Sequence, residues 1–418
     1  MSTTFLKLLR RLVQKGNLRI ALSSGEQAVL GDGSGEPVAL RMIDEEAEKA
    51  ILRDPGLKFG EMYVDGRVVI DEGNIFDVIS MMKANGLERA ATVSNTVTAL
   101  LHVAEQQVKS RLPVNRNKHN VAHHYDLDGK LFDLFLDQDW QYSCAYFDPP
   151  GISLDEAQTA KKRHIAAKLL LEPGQRVLDV GSGWGGMAMY LAESSGVEVT
   201  GITLSEEQLK VSRGRAAKRG LAGRVRFELQ DYRTMANQKF DRIVSVGMFE
   251  HVGMANYGNF FSKMADLLAP KGVMLLHSIG QAEKPWATNP WIEKYIFPGG
   301  YMPALSEVLP AIEKARLMIK DIEILPMHYA HTLRAWRDRF TARKEEAIRL
   351  YDERFFRMWE FYLAASETAF IYDKLLIFQI QLSREQDAVP YTRSYIGERE
   401  VALREFEKTR PPLERVEF

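Results

Sequence analysis

Five apolar, β-branched runs separated by helical segments constrain this chain more than any other feature. They are RVLDVG (176–181), VEVTGITL (197–204), RVRFELQ (224–230), FDRIVSV (240–246) and GVMLLHSI (272–279). Strands apolar along their whole length and alternating with helices predict a parallel sheet covered on both faces, an α/β fold. IKDIEILP (319–326) and a last strand near 389–397 are expected to complete it. Segment 281–370, rich in Trp, Tyr, Phe and Met, does not continue the alternation and reads as a mostly helical inserted cap.

The N-terminal part is built differently. Short strand-like runs at Leu18–Leu22, Gln27–Leu30 and Pro37–Met42 are separated by glycine-rich turns, with helices expected over 44–53 and 75–83. This predicts a small α+β domain over 1–90, a connecting helix and linker over 91–117 broken at Pro113, and a catalytic domain over 118–418. Residues 5–15 form an expected basic amphipathic helix, with Phe5, Leu8, Leu9 and Leu12 on one face and Lys7, Arg10, Arg11 and Lys15 as charges. Such a helix suits either an anionic membrane surface or docking on its own domain. A net charge of −1 gives no reason to expect nucleic acid. A single cysteine, Cys144, rules out an intrachain disulfide and fits a reducing cytoplasm. No run approaches the ~18 apolar residues that span a bilayer.

The first long run ends in VLDVGSGWGG, where Gly181, Gly183 and Gly185 turn the chain from strand to helix behind Asp179. Glycines there let the backbone approach a ligand closely. Gly181, Gly183 and Gly186 also satisfy the dinucleotide pattern G-x-G-x-x-G. A nicotinamide enzyme would want an acidic residue at the end of the second strand. That strand instead offers Gly201 and Thr203, and Glu206 and Glu207 come later. The combination of Asp179 and Gly181 is more usual in class I methyltransferases, whose sheet is Rossmann-like. Thr203 and Gln208 stand where ribose hydroxyls would lie. Asp231 and Tyr232 stand where an adenine edge and face would lie, although each alone also suits a cap or turn.

A second polar cluster lies at strand ends: Glu250 and His251 after the fourth run, and His277 at the end of the fifth. An acid and an imidazole converging there can hold an anion, a proton or a metal. The spacing is not that of a zinc site, so no metal is expected, and Glu250 is preferred to His251. The basic run AKKRH (160–164) reads as a solvated helix face, with lipid headgroup contact as the alternative.

HHYDLDGKLFDLFLDQDWQYSCAYF (123–147), GITLSEEQ (201–208), LQDYR (229–233), DRIVSVGMFEHVG (241–253), LLHSIG (275–280) and WIEKYIFPGGYMP (291–303), with the glycine loop, resemble the cyclopropane-fatty-acyl-phospholipid synthases and the mycolic acid cyclopropane synthases. The likeness runs over about 118–380. The N-terminal domain resembles the lipid-engaging extra domain of the phospholipid-acting members. The resemblance implies a class I S-adenosylmethionine (SAM) fold with a helical cap. Its reaction would move a methylene from SAM to a cis double bond of an unsaturated phospholipid, at the inner face of the cytoplasmic membrane. Homodimers are frequent in the family.

The resemblance also assigns residues. Glu250 would accept the hydroxyl of a bound bicarbonate, His277 and Tyr329 would donate to it, and backbone groups of Cys144 and Ile279 would complete the cage. Tyr142 and Ser143 would close over the methionine part of SAM, and Asp179, Gly181, Gly183, Thr203, Gln208, Asp231 and Tyr232 would make the remaining cofactor contacts. Many members carry a cysteine where Ser366 stands here, so covalent thiol chemistry at that position is not expected. Aromatics between Trp286 and Tyr301 are candidates either for an acyl slot or for core packing. Three other readings stay open. A related lipid methyltransferase would stop at a methyl-branched or methylene product, a nicotinamide oxidoreductase would use the glycine pattern, and a non-catalytic protein would only bind lipid.

Overall fold

In the computed structural model the described residues are 2–86 and 129–409, except 237, 284, 285 and 287. The linker expected over 91–117, and the first residues of the 123–147 motif, lie outside them. The chain forms two compact units. One comprises 1–109, 286–298 and 333–374, and the other 110–285, 299–332 and 375–418. Two pieces of the expected cap therefore group with the N-terminal segment.

In the first unit β1 (Asn17–Ala21), β2 (Gln27–Leu30), β3 (Pro37–Met42) and β4 (Val68–Glu72) form a sheet of order β2-β1-β3-β4. The helix Glu45–Arg53 starts where the Asp44 carboxylate accepts from the Ala47 N–H, and the helix Ile75–Ala84 starts in a capping box of Asn74 and Asp77. The first helix, Ser2–Leu12, buries Phe5 and Leu6 but exposes Leu8, which had been expected on its apolar face. Trp291 is buried edge-on against Phe361, with ring centres 4.5 Å apart. That is core packing within this unit, and Tyr301 belongs to the other. Ser366 sits on the long helix Glu353–Tyr372.

The second unit holds β5 (Arg176–Val180), β6 (Glu198–Thr203), β7 (Val225–Leu229), β8 (Phe240–Val246), β9 (Leu268–Gln281), β10 (Met318–Leu325) and β11 (Leu375–Ser383). Their order is β10-β11-β9-β8-β5-β6-β7. The pairs from β9 through β7 are parallel, and β11 runs antiparallel to both neighbours. Chain order reverses between β5 and β8, the switch point where α/β sheets bind ligands. The last strand is not the one expected near 389–397. That segment holds Pro390 and a fully exposed Tyr391 and leads into the helix Ser394–Thr409. LLIFQIQLS (375–383) takes its place because all nine of its positions are buried, two glutamines included.

Candidate active site

Parallel pairing brings the C-terminal ends of β5, β6, β7 and β8 to one edge of the sheet. A cavity there is walled by the loops after these strands and by Trp140–Ser143. All nine residues expected at the cofactor line it: Tyr142, Ser143, Asp179, Gly181, Gly183, Thr203, Gln208, Asp231 and Tyr232.

The loop after β5 brings backbone to the wall. Gly181, Gly183 and Gly185 have φ of +85°, +52° and +83°, values that favour glycine. A Cβ on Gly181 would lie 2.8 Å from the Met248 side chain. Asp179 is buried, its Oδ2 has no hydrogen-bond partner among the described residues, and burial pushes its carboxyl up to about 7. Thr203 Oγ1 donates to Gln208 Oε1 at 2.7 Å, which fixes the amide at the cavity wall. The Asp231 carboxylate accepts from the Arg233 N–H and guanidinium, so it caps the short turn Tyr232–Thr234 as well as lining the cavity.

Behind this wall stand the other candidates. The Gly247 N–H, on the wall, donates to the His277 carbonyl at 3.0 Å, and Glu250 lies on the turn that follows. Glu250 Oε1 accepts from the Ile279 N–H at 2.7 Å, while Oε2 is buried without a hydrogen-bond partner among the described residues. Burial lifts the Glu250 carboxyl to about 7. His277 Nε2 is likewise buried without a partner, and burial beside several cations holds its imidazole well below the usual range. The Ile279 N–H is thus engaged by Glu250. Cys144 is buried and its thiol is pushed upward, which suits a backbone role rather than a thiolate. The next residue, Ala145, donates its N–H to Thr332 Oγ1 at 3.0 Å. Tyr329 precedes Thr332 by one turn on the helix His328–Ala342, so its helix is tied to the 142–145 loop.

The family model for mycolic acid cyclopropane synthetases matches residues 113–380. This chain belongs to that family. The membership makes it a SAM-dependent enzyme with a class I methyltransferase fold. Cyclopropane-fatty-acyl-phospholipid synthase of Escherichia coli K12 is 38% identical over 366 residues, 88% of this chain and 93% of that relative. Tuberculostearic acid methyltransferase UfaA1 of Mycobacterium tuberculosis is 33% identical over 91% of this chain and 90% of its own length. The cyclopropane synthase MmaA2 of M. tuberculosis superposes with a TM-score of 0.61 at 32% identity, covering 63% of this chain and 97% of that one. The cyclopropane synthase CmaA1, complexed with SAH and CTAB, gives the same TM-score at 34% identity over 65% of this chain and 99% of its own. The cavity of this family member fits SAM: Gly183 leaves open space in the loop after β5, and Asp179 Oδ2, without a partner among the described residues, is an acceptor that an ammonium group would satisfy.

Sequence reasoning missed several residues of this cyclopropane-synthase site. AKKRH is no solvated face. Lys161, Lys162, Arg163 and His164 are all buried, because the helix Leu154–Leu169 packs under the helix Ser394–Thr409 and meets acids from distant segments. Lys162 pairs with Asp139, Arg163 with Glu407, and His164 with both Glu323 and Glu400. Lys161 Nζ donates to Gln141 Oε1 and Ser143 Oγ, each at 2.8 Å, bracing the cavity wall, and burial lowers its ammonium to about 7. No local pattern reveals such pairing. His251, ranked below Glu250, lines the cavity itself, and burial lowers its imidazole to about 4.

Proposed function

We propose that the enzyme closes a cyclopropane ring on the cis double bond of an acyl chain carried by an intact membrane phospholipid. The observation that carries this reading is a pair of buried polar atoms without partners among the described residues, Glu250 Oε2 and His277 Nε2, next to the cavity wall. An isolated alkene has no acidic proton, so no base activates it beforehand. SAM supplies the electrophilic methyl group. The chain must hold that group in line with the double bond, largely by positioning. Tyr142, Ser143, Gly181, Gly183, Thr203, Gln208, Asp231 and Tyr232 do so from the wall, with Asp179 beneath.

Methyl transfer leaves a cation on the lipid, and one proton must depart as the ring closes. Glu250, His277 and Tyr329 suit a small oxyanion that is half acid and half base. The Glu250 carboxyl accepts from it, and the His277 imidazole, kept neutral by burial, donates to it. Bicarbonate held there would supply a weak base for the departing proton. Burial of both side chains keeps bulk water from the cation. Exposed Lys7, Arg10 and Arg11 on the first helix support docking at an anionic cytoplasmic membrane face.

The test is incubation with SAM and vesicles of monounsaturated phospholipid, followed by lipid mass analysis. A ring adds CH2 and survives mild hydrogenation unchanged, whereas an exomethylene product adds the same mass and takes up hydrogen. No mass gain overturns the reading. The methyltransferase relative keeps a methyl-branched or methylene product as the alternative; a methyl branch carries two more hydrogens than a ring, so the same measurement separates all three.

A further inference from the structure

Behind His277 lies a buried chain of polar side chains from four separate segments of the second unit. His277 on β9 and Gln379 on β11 stand directly opposite in the antiparallel pairing. His277 Nδ1 and Gln379 Nε2 are 3.2 Å apart. Lys168 Nζ donates to Gln379 Oε1 at 2.9 Å. Lys168 also donates to Glu323, and Asp321 lies 3.9 Å away. Glu323 Oε2 is 2.6 Å from His164 Nε2, and the other His164 nitrogen is 2.6 Å from Glu400. Gln381 Nε2 donates to the Lys168 carbonyl at 2.6 Å and so pins that residue's backbone. His277, Gln379 and Lys168 are each at most 2% exposed, so water does not compete.

The direction of each bond follows from what each group is able to donate. A lysine ammonium has donors only, so the atom it meets on Gln379 is the carbonyl oxygen. The amide NH2 must then face His277. An NH2 is a donor, so His277 Nδ1 is the acceptor and carries no hydrogen. A neutral imidazole bears one N–H, which leaves it on Nε2, the atom without a partner. After burial, the groups that act most strongly on His277 are Lys161, Lys168, His164 and His328, and each disfavours an imidazolium.

We propose that Lys168 and Gln379 are positioning residues that hold His277 as the neutral Nε2–H tautomer, aimed as a fixed hydrogen-bond donor at the oxyanion site. This rests on the proposed role of His277. The opposite tautomer would set an N–H against the Gln379 NH2 and present a bare nitrogen to the anion. Donor direction at the site is thereby set by a lysine that never touches substrate or cofactor.

The test uses the full-length enzyme with 15N-labelled histidine and long-range proton–nitrogen correlation. His277→Gln identifies the His277 signals among the nine histidines by their loss. The parent enzyme should show a protonated Nε2 and a bare Nδ1. Gln379→Glu keeps the shape and the Lys168 contact but replaces the donor with an acceptor. It should move the proton to Nδ1 and lower kcat by about 10–100-fold, with SAH affinity within about threefold. Gln379→Met, which removes both bonds at similar volume, should give mixed tautomers and a smaller loss, and it serves if the glutamate variant does not fold. A proton on Nδ1 in the parent enzyme, or an unshifted Nε2–H in both variants, overturns the proposal. Unchanged turnover in His277→Gln sinks the role of His277 instead, and the nitrogen shifts still report the tautomer, so the two failures are distinct.

Discussion

The cavity wall and the cluster behind it are built differently. The wall is set by local chain geometry: the loop after β5 turns at positive φ at Gly181 and Gly183, and Tyr142, Thr203, Gln208, Asp231 and Tyr232 line it from the loops and strand tips around the switch point. The cluster is side chain: Glu250 and His277 are buried with one polar atom bonded and the other left without a partner. A wall of this kind binds by shape and tolerates water. A cluster of this kind is costly to bury and makes sense only where the orphan atoms meet a ligand. Damage to the wall should therefore weaken cofactor affinity, and damage to the cluster should slow chemistry.

The largest effect expected is on turnover. Glu250→Gln keeps the size and the acceptor for the Ile279 N–H but cannot take a proton. It should lower kcat by roughly 100- to 10,000-fold while SAH affinity, read by calorimetry, stays within about tenfold. A variant that loses affinity and keeps turnover would erase the distinction between wall and cluster.

The cluster should also weaken the fold at neutral pH. Burial lifts the Glu250 carboxyl from 4.5 to about 7 in the folded chain. Between those values the folded state binds the proton more tightly than the unfolded state, so stability falls as pH rises through the interval and levels off above it. Glu250→Gln has no such titration. Its stability relative to the parent should rise across the same interval, by on the order of 3 kcal/mol in the alkaline limit. Denaturant melts of both proteins at acid and mildly alkaline pH give the difference, and a pH-independent offset would show that the carboxyl does not titrate as its burial requires.

Gly181→Ala probes the wall. Its φ of +85° strains any side chain, and the added Cβ would press on Met248. A strain of about 2 kcal/mol should raise the SAH dissociation constant roughly thirtyfold, with kcat at saturating SAM changed far less. An unchanged constant would mean that the loop moves freely and does not shape the site.

The same contrast decides what the sequence made legible. The wall could be read because its signals are local: a glycine run after an apolar strand, a threonine at a strand tip, and Asp231 and Tyr232 after the next. The presence of five of the seven strands followed from alternation alone, but their order did not. The cluster could be listed from the family resemblance, yet its wiring could not. The Ile279–Glu250 bond and the Gln379–His277 pairing depend on strand register. β11 was missed because Gln379 and Gln381 interrupt its apolar run, and those are the residues that tie it to Lys168. Burial of Lys161, Lys162 and His164 escaped notice because their acidic or amide partners come from distant parts of the chain as well as near ones.

The smallest effect separates direct from indirect contact on the wall. Thr203 Oγ1 donates to Gln208 Oε1 and accepts from the Ser205 N–H at 3.2 Å. Its proton is therefore committed to Gln208, and its hydroxyl acts on a ligand chiefly by fixing the amide. Thr203→Val removes the bond at nearly constant volume. The loss should be about 1 kcal/mol, or roughly fivefold in SAH affinity. Gln208→Leu should cost at least as much, and the double variant little more than Gln208→Leu alone, because the two residues act through one bond. Additive losses would instead give each side chain its own contact with the cofactor.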